Sequence, residues 1–307
     1  MKIDKLSESS YTITGLVRSN KLKALLDLFN VDNAHKSDTE ITIKNVKKTV
    51  KEKKIYEEMV KSCQFGEVKV PSSYHYRKSE MSLNKKAMIR IMSENQSLRE
   101  SLPINWDTSI VMRINEDCMN FCSFMVVGPE GTPYHNGLFE FHMYYPKEYP
   151  NVSPKVNLMT TGGGTVRFNP NLYNSGKVCL SLLGTWRGEQ GESWNPKIST
   201  VLQLLISIQS LILIEDPYFN EPGWERDRGT TEGENKSKKY NELRELETIR
   251  WAINDKILNP ITGYEEFTRN HFMMKEEELL KVTNDWCNNC KQVKIRNDMR
   301  VERDKMI

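Results

Sequence analysis

The spacing of apolar residues changes character several times along the chain. In residues 1–80, Leu22, Leu25, Leu26 and Phe29 form an i, i+3, i+4, i+7 stripe, which predicts one amphipathic helix before a polar, basic stretch with little pattern. A second helix is predicted from Leu83 to Glu100 and stopped by Pro103, because the residue before a proline is pushed out of the helical region. The period then shortens. Ile110–Ile114, Phe124–Val127, Leu138–Tyr145 and Val156–Met159 are rich in Val, Ile, Phe and Tyr and read as four short strands. Gly128-Pro129, Gly131, Pro133, Asn136-Gly137, Pro146, Pro150 and Pro154 punctuate the connections, as turns require. Parallel neighbours would need crossovers of about a dozen residues or more, so these short links predict an antiparallel meander.

After the strands comes a long irregular segment, Thr160 to Pro196, then a helix from Ser199 to Ile214. Unstructured stretches of that length inside a compact domain are usually functional. From Glu232 to the end, Leu243, Leu246, Ile249, Ile253 and Ile257 recur at helical spacing until Pro260. The predicted fold is α+β: a four-stranded antiparallel meander packed on helices in residues 81–231, with an N-terminal extension (1–80) and a helical C-terminal extension (232–307). Removing that last extension is expected to leave the chemistry of the core intact.

Composition narrows the partners. Of 307 residues, 38% are hydrophobic and 28% charged, a polar but globular balance that excludes a disordered chain. With 44 basic and 41 acidic residues the net charge is +3, so no overall field argues for nucleic acid or membrane; the basic run Lys44 to Lys54 reads as a solvated face. Six cysteines are too sparse and uneven for a disulfide framework, which predicts a reducing compartment. Lys2, Asp4 and Lys5 follow Met1 without an apolar signal core, and no apolar run is long enough to span a bilayer. A soluble intracellular protein, cytoplasmic or nuclear, is expected.

Cys179 lies inside the irregular segment, in Phe168-Asn169-Pro170-Asn171-Leu172-Tyr173-Asn174-Ser175-Gly176-Lys177-Val178-Cys179. A thiolate there would be a good nucleophile and more accessible than one in a strand, although residue type alone leaves a buried structural cysteine open. The five histidines, His35, His75, His135, His142 and His271, all lie outside this loop. A hydrolase would need one as base, whereas a carrier of a thioester would not.

The stretch resembles the active site of the ubiquitin-conjugating family, where a His-Pro-Asn triplet precedes the catalytic cysteine by the spacing that Asn171 and Cys179 keep. Gly128-Pro129 through Phe139, Tyr145 to Pro150, Pro154-Lys155-Val156 and Trp194-Asn195-Pro196 match the family in the same order. Arg167 to Tyr173, Gly184-Thr185-Trp186 and Pro217 to Gly223 resemble above all the large Apollon/Bruce-type conjugating domain, and Tyr240 and Arg250-Trp251-Ala252 extend the likeness.

The resemblance implies the ubiquitin-conjugating fold and a ubiquitin thioester on Cys179, passed to a substrate lysine. It makes Asn171 the donor to the developing oxyanion, or else the brace of its loop. Asn169 and Pro170 belong to the active-site loop, with Asn169 replacing the usual His. Asp216, as first choice, or Glu221 would orient the incoming lysine. The segment Gly184 to Ser193 is longer than in small members, and its Trp186 and Arg187 are types enriched in binding hot spots, although Trp186 packing on the sheet is an equal alternative. Implied partners are ubiquitin, an ATP-using activating enzyme, a substrate protein and a ubiquitin ligase. No metal or nucleotide is bound by the chain itself; the ATP is the activating enzyme's. The alternative is a non-catalytic module of the same fold that binds ubiquitin or a partner. Cys287-Asn288-Asn289-Cys290 has metal-like spacing but lacks the second pair of a zinc site, and Met273-Met274 reads as core filler.

Overall fold

The computed structural model describes residues 51–186 and 191–306 in full and the backbone of 2–7, 10–14, 40–42 and 46–50. The helix expected at Leu22 to Phe29 falls outside the described residues. The chain divides into two compact units, Met1–Glu58 and Met59–Ile307. In the first, β1 (Lys2–Ser7), β2 (Ser10–Thr14) and β3 (Glu40–Thr42) form an antiparallel sheet in that order. Helix α1 (Val46–Cys63) follows.

The second unit is built on a sheet of β4 (Phe65–Val68), β5 (Ile110–Asn115), β6 (Phe121–Val127), β7 (Leu138–Tyr144) and β8 (Lys155–Leu158), paired in that order. The last four strands are the predicted antiparallel meander. One row across them, Met112, Phe124, Phe141 and Leu158, is buried in the core, with the rings of Phe124 and Phe141 stacked at 4.8 Å. The fifth strand corrects the expectation of four. β4 runs parallel to β5, with Phe65 opposite Met112, and the crossover between them contains helix α2 (Lys85–Ser101), as parallel pairing demands. Its sequence, Phe-Gly-Glu-Val, is too short and polar to signal a strand; pairing with β5 imposes it.

Helix α2 begins at Asn84, whose side chain caps Ala87 N–H, and buries Ala87, Ile91 and Leu98 on one face. Helix α3 (Val201–Ser207), prolonged by a π-helical turn at Ile208–Ile212, buries Val201, Leu204, Leu205, Ile208 and Ile212 in the same core. Glu94 ties these parts together: its carboxylate accepts from Tyr149 Oη (2.9 Å), Val201 N–H (2.9 Å) and Arg90 Nε (2.7 Å).

The other face of the sheet is closed by the chain itself. Tyr74 Oη donates to the carbonyls of Cys122 and Met143, Tyr264 Oη meets Ser123 Oγ at 2.9 Å, and Arg113 Nε donates to Gly263 O.

Helix α4 (Thr231–Glu247) continues through a π-helical stretch, Thr248–Asn254, to Asp255–Leu258. It uses two faces. Leu246 and Ile249 pack on Cys287, Cys290 and Met299, from helices α6 (Glu276–Asn289) and α7 (Val293–Asp304) and the link between them. The other face meets the sheet end: Thr248 Oγ1 donates to Pro133 O at 2.8 Å, and Ala252 lies in the main core. A Cβ on Gly137 would stand 2.8 Å from Thr248 Cγ2 and 2.9 Å from Ala252 Cβ, so the Asn136-Gly137 turn needs its glycine. The apolar stripe therefore packs mainly on its own helical partners, leaving Leu243 and Ile257 exposed. The opposite face contributes Ala252 and Thr248 to the core around the sheet end, so residues 232–307 share packing with the predicted core. Met273, expected as filler, is exposed at the end of α5 (Glu265–Met274), because Phe267, Thr268, His271 and Phe272 form that helix's buried face.

A polar clasp holds α6 to the sheet. Glu278 accepts from Trp106 Nε1 (2.6 Å), Asn136 Nδ2 (2.8 Å) and Lys275 Nζ (3.1 Å), and pairs with His135 Nε2 (2.8 Å). Burial acts to raise its pKa, but His135, Lys275 and Asn136 outweigh burial and hold it down at about 2. Burial pushes the fully enclosed His271 down to about 3, against its bond to Asn136 O. Both shifts have the same sign in stability: the unfolded chain binds more protons than the folded one, so stability falls with pH. The urea midpoint, followed by circular dichroism, is expected to fall as pH drops below about 6.5 and more steeply below about 4.5. A midpoint constant from pH 7 to 4 would contradict this.

Candidate active site

The turn before Cys179 is built by Asn174-Ser175-Gly176. Gly176 N–H donates to Tyr173 O (2.9 Å) and Tyr173 N–H to Lys177 O (3.0 Å). Gly176 has φ +87°, and a Cβ there would lie 2.3 Å from Asn157 Nδ2, so only glycine fits. Beyond the turn the chain runs back past Leu172, which bridges Val178. This brings the two marked residues together. Cys179 N–H donates to Asn171 O (2.8 Å), and Asn171 Nδ2 donates to Cys179 O (2.9 Å).

Asn171 is itself held from behind. Its N–H donates to Asn169 Oδ1 (2.8 Å), while Asn169 Nδ2 donates to Ile212 O (2.7 Å) at the end of the π-helical turn after α3. Asn169 is fully buried. Its amide both donates and accepts, which is how it stands in for the usual imidazole. Asn171 Oδ1 is buried and has no hydrogen-bond partner among the described residues. The one hydrogen bond of its Nδ2 among the described residues, to Cys179 O, braces the loop.

The two candidate acids stand apart. Asp216 Oδ1 accepts from Ser237 Oγ of α4 (2.9 Å), and Oδ2 lies 3.9 Å from Arg228. Glu221 Oε2 instead accepts from Arg167 Nη2 at 3.1 Å. The same nitrogen donates to Pro170 O (2.7 Å), within the Asn169-Pro170-Asn171 triplet. Glu221 is thus the acid tied, through Arg167, to the Asn169-Pro170-Asn171 loop; Asp216, first in the sequence reading, is engaged with the C-terminal helix. Arg167 stands in the matched motif, but its contacts follow only from the fold. Its guanidinium lies over the Tyr173 ring (4.4 Å), its carbonyl accepts from Arg244 Nη1, and Lys177 approaches the same ring at 5.6 Å.

Cys179 is only 2% exposed, so of the two readings left open by the sequence the structure favours the enclosed thiol over the accessible one. Burial pushes its pKa above the ordinary thiol value, against the pull of Lys177 and Arg167. No described histidine bonds it. His75 N–H donates to His142 Nδ1, His142 Nε2 meets Glu140, His135 meets Glu278, and His271 meets Asn136 O.

After Cys179, Thr185 Oγ1 donates to Val178 O (2.6 Å) and accepts from Leu180 N–H (3.0 Å), and Ser181 Oγ donates to Glu192 (3.1 Å) across the long loop. Trp186 is half-buried, and Arg187 lies outside the described residues. Among the described residues no group of three or more His, Cys, Asp or Glu is arranged to hold a metal. Cys287 and Cys290 pack in the apolar cluster under α4. Among the described residues no helix is long and apolar enough to cross a membrane.

The family model for ubiquitin-conjugating enzymes matches residues 90–247. A protein of Acanthamoeba polyphaga mimivirus, named as a probable ubiquitin-conjugating enzyme, is 47% identical over 211 residues, 69% of this chain and 15% of its own. The human dual E2 ubiquitin-conjugating enzyme/E3 ubiquitin-protein ligase BIRC6 is 42% identical over 250 residues, 80% of this chain and 5% of its own. A Caenorhabditis elegans protein named as probable ubiquitin-conjugating enzyme protein 17 is 43% identical over 231 residues, 73% of this chain and 31% of its own. The chain belongs to the ubiquitin-conjugating enzyme family, as its motifs implied. It spans between 5% and 31% of the length of these three relatives.

A thiol whose pKa is raised is mostly protonated at neutral pH. Alkylation of Cys179 by iodoacetamide, read from its peptide by mass spectrometry, should therefore rise about tenfold per pH unit from 7 to 9. A plateau at or below pH 8 would mean that the loop stabilises the thiolate instead.

Proposed function

We propose that this chain is a ubiquitin-conjugating enzyme that accepts ubiquitin from an activating enzyme onto Cys179 and transfers it to a lysine amine. The Cys179 thiolate attacks the carbonyl of ubiquitin's thioester on the activating enzyme and releases that enzyme's thiol. A substrate amine then attacks the new thioester, forms the amide and releases Cys179. The observation that supports the reading is the pair of hydrogen bonds between Cys179 and Asn171, which keeps a side-chain amide donor on the backbone of the proposed nucleophile. Ubiquitin, the activating enzyme, a substrate protein and a ubiquitin ligase are the proposed partners, and ATP is used by the activating enzyme alone. The non-catalytic alternative is disfavoured because such a module would have no use for the nucleophile itself.

With activating enzyme, ATP and ubiquitin, Cys179→Ser is expected to convert a reductant-labile adduct into a reductant-resistant oxyester on a gel, since the hydroxyl is a poorer nucleophile but its ester survives thiols. Cys179→Ala should not load; normal loading would move the nucleophile elsewhere.

Asn171→Ala should load yet discharge to free lysine about tenfold to a thousandfold more slowly, the range for one oxyanion donor. Equal loss in both half-reactions would reduce Asn171 to a brace.

A further inference from the structure

We propose that Arg167 is a positioning residue for amine attack, one that holds Glu221 so that its second carboxylate oxygen faces an incoming lysine; this rests on the transfer reaction proposed above. The guanidinium is fixed on three sides, by Pro170 O, Glu221 Oε2 and the Tyr173 ring. Its backbone is fixed as well, since Arg244 of α4 donates to the Arg167 carbonyl, and Arg244 is itself buried and lies over the Tyr240 ring. An ion pair between partly exposed side chains would ordinarily be loose, because both ends lose freedom in making it. Here the guanidinium is already held by Pro170 O and the Tyr173 ring, and the nitrogen that reaches Pro170 O is the one that takes Glu221 Oε2.

Arg167 takes Oε2 of Glu221, and Oε1 has no hydrogen-bond partner among the described residues. That oxygen can accept a bond from a lysine ammonium and then its proton. The freed amine attacks the thioester carbonyl, the carbon–sulfur bond breaks, and the sulfur leaves with the electron pair. Asp216 lacks this arrangement, because both of its oxygens are directed to Ser237 and Arg228. Through Pro170, Arg167 also joins the acid's turn to the loop carrying Asn171, two segments that are 54 positions apart for the Arg167 and Glu221 contact.

Arg167 lies near enough to act on the Cys179 thiol as well, and its loss would alter the leaving group for every acceptor alike. The test therefore compares two acceptors. The full chain is loaded with ubiquitin, and single-turnover discharge to free lysine and to free cysteine is measured for the unmodified protein, Arg167→Gln, Arg167→Lys, Glu221→Gln and the Arg167→Gln/Glu221→Gln double variant. Each glutamine variant should lower the lysine-to-cysteine rate ratio by about tenfold to a hundredfold. The double variant should fall no further than Glu221→Gln alone, because Arg167 acts through Glu221. Arg167→Lys keeps the charge without the planar group that lies on the Tyr173 ring and should also lose most of the ratio. An unchanged ratio in Arg167→Gln, full rescue by lysine, or a double variant at the product of the two single losses would overturn the proposal while leaving the transfer reaction standing. An unmodified chain that forms no thioester would overturn the transfer reaction itself.

Discussion

Residues 160–186 form almost no ladder of their own, and every buried N–H and C=O in that stretch still needs a partner. Side-chain amides and hydroxyls take the place of regular pairing. Asn169 reaches Ile212 O, Asn171 reaches Cys179 O, Asn174 reaches Gly164 O, and Thr185 serves Val178 and Leu180. The active site follows from that constraint. The amide that closes the backbone between Asn171 and Cys179 is also the donor proposed for the transfer step, so in that reading structural and chemical demands fall on one side chain.

The helical region beyond α3 belongs to this arrangement. Along α4, Ser237, Asn241, Arg244 and Thr248 share a polar stripe that meets Asp216, the Glu215 carbonyl, the Arg167 carbonyl and Pro133 in turn. The helix thus supports both the acid-bearing turn and the loop of the triplet, while its apolar face seals α6 and α7. A family core that could in principle end after α3 is, in this chain, completed by what comes after it.

Much of this was legible in the sequence because local chemistry dictated it. The meander strands are short runs of apolar and aromatic residues bounded by Gly and Pro, and the helices α2 and α3 carry plain apolar spacing. The motif around Asn171 and Cys179 has a fixed separation within one loop, so the pair could be named before folding was known. What escaped depends on distant segments. Strand β4 has no strand pattern and exists through its pairing with β5. The choice between Asp216 and Glu221 could not be read from their closeness in sequence, since it is decided by Ser237 on one side and Arg167 on the other. The burial of Cys179 was left open, because a turn-rich loop suggests exposure while the residue type suggests burial.

The central claim is that Cys179, clasped by Asn171, is the point at which ubiquitin is carried. Its most direct test is peptide mapping by mass spectrometry after incubation with activating enzyme, ATP and ubiquitin, with and without thiol reductant. The account predicts a single ubiquitin remnant on the Cys179 peptide that reductant removes. A remnant confined to lysines, or to another cysteine, would contradict it.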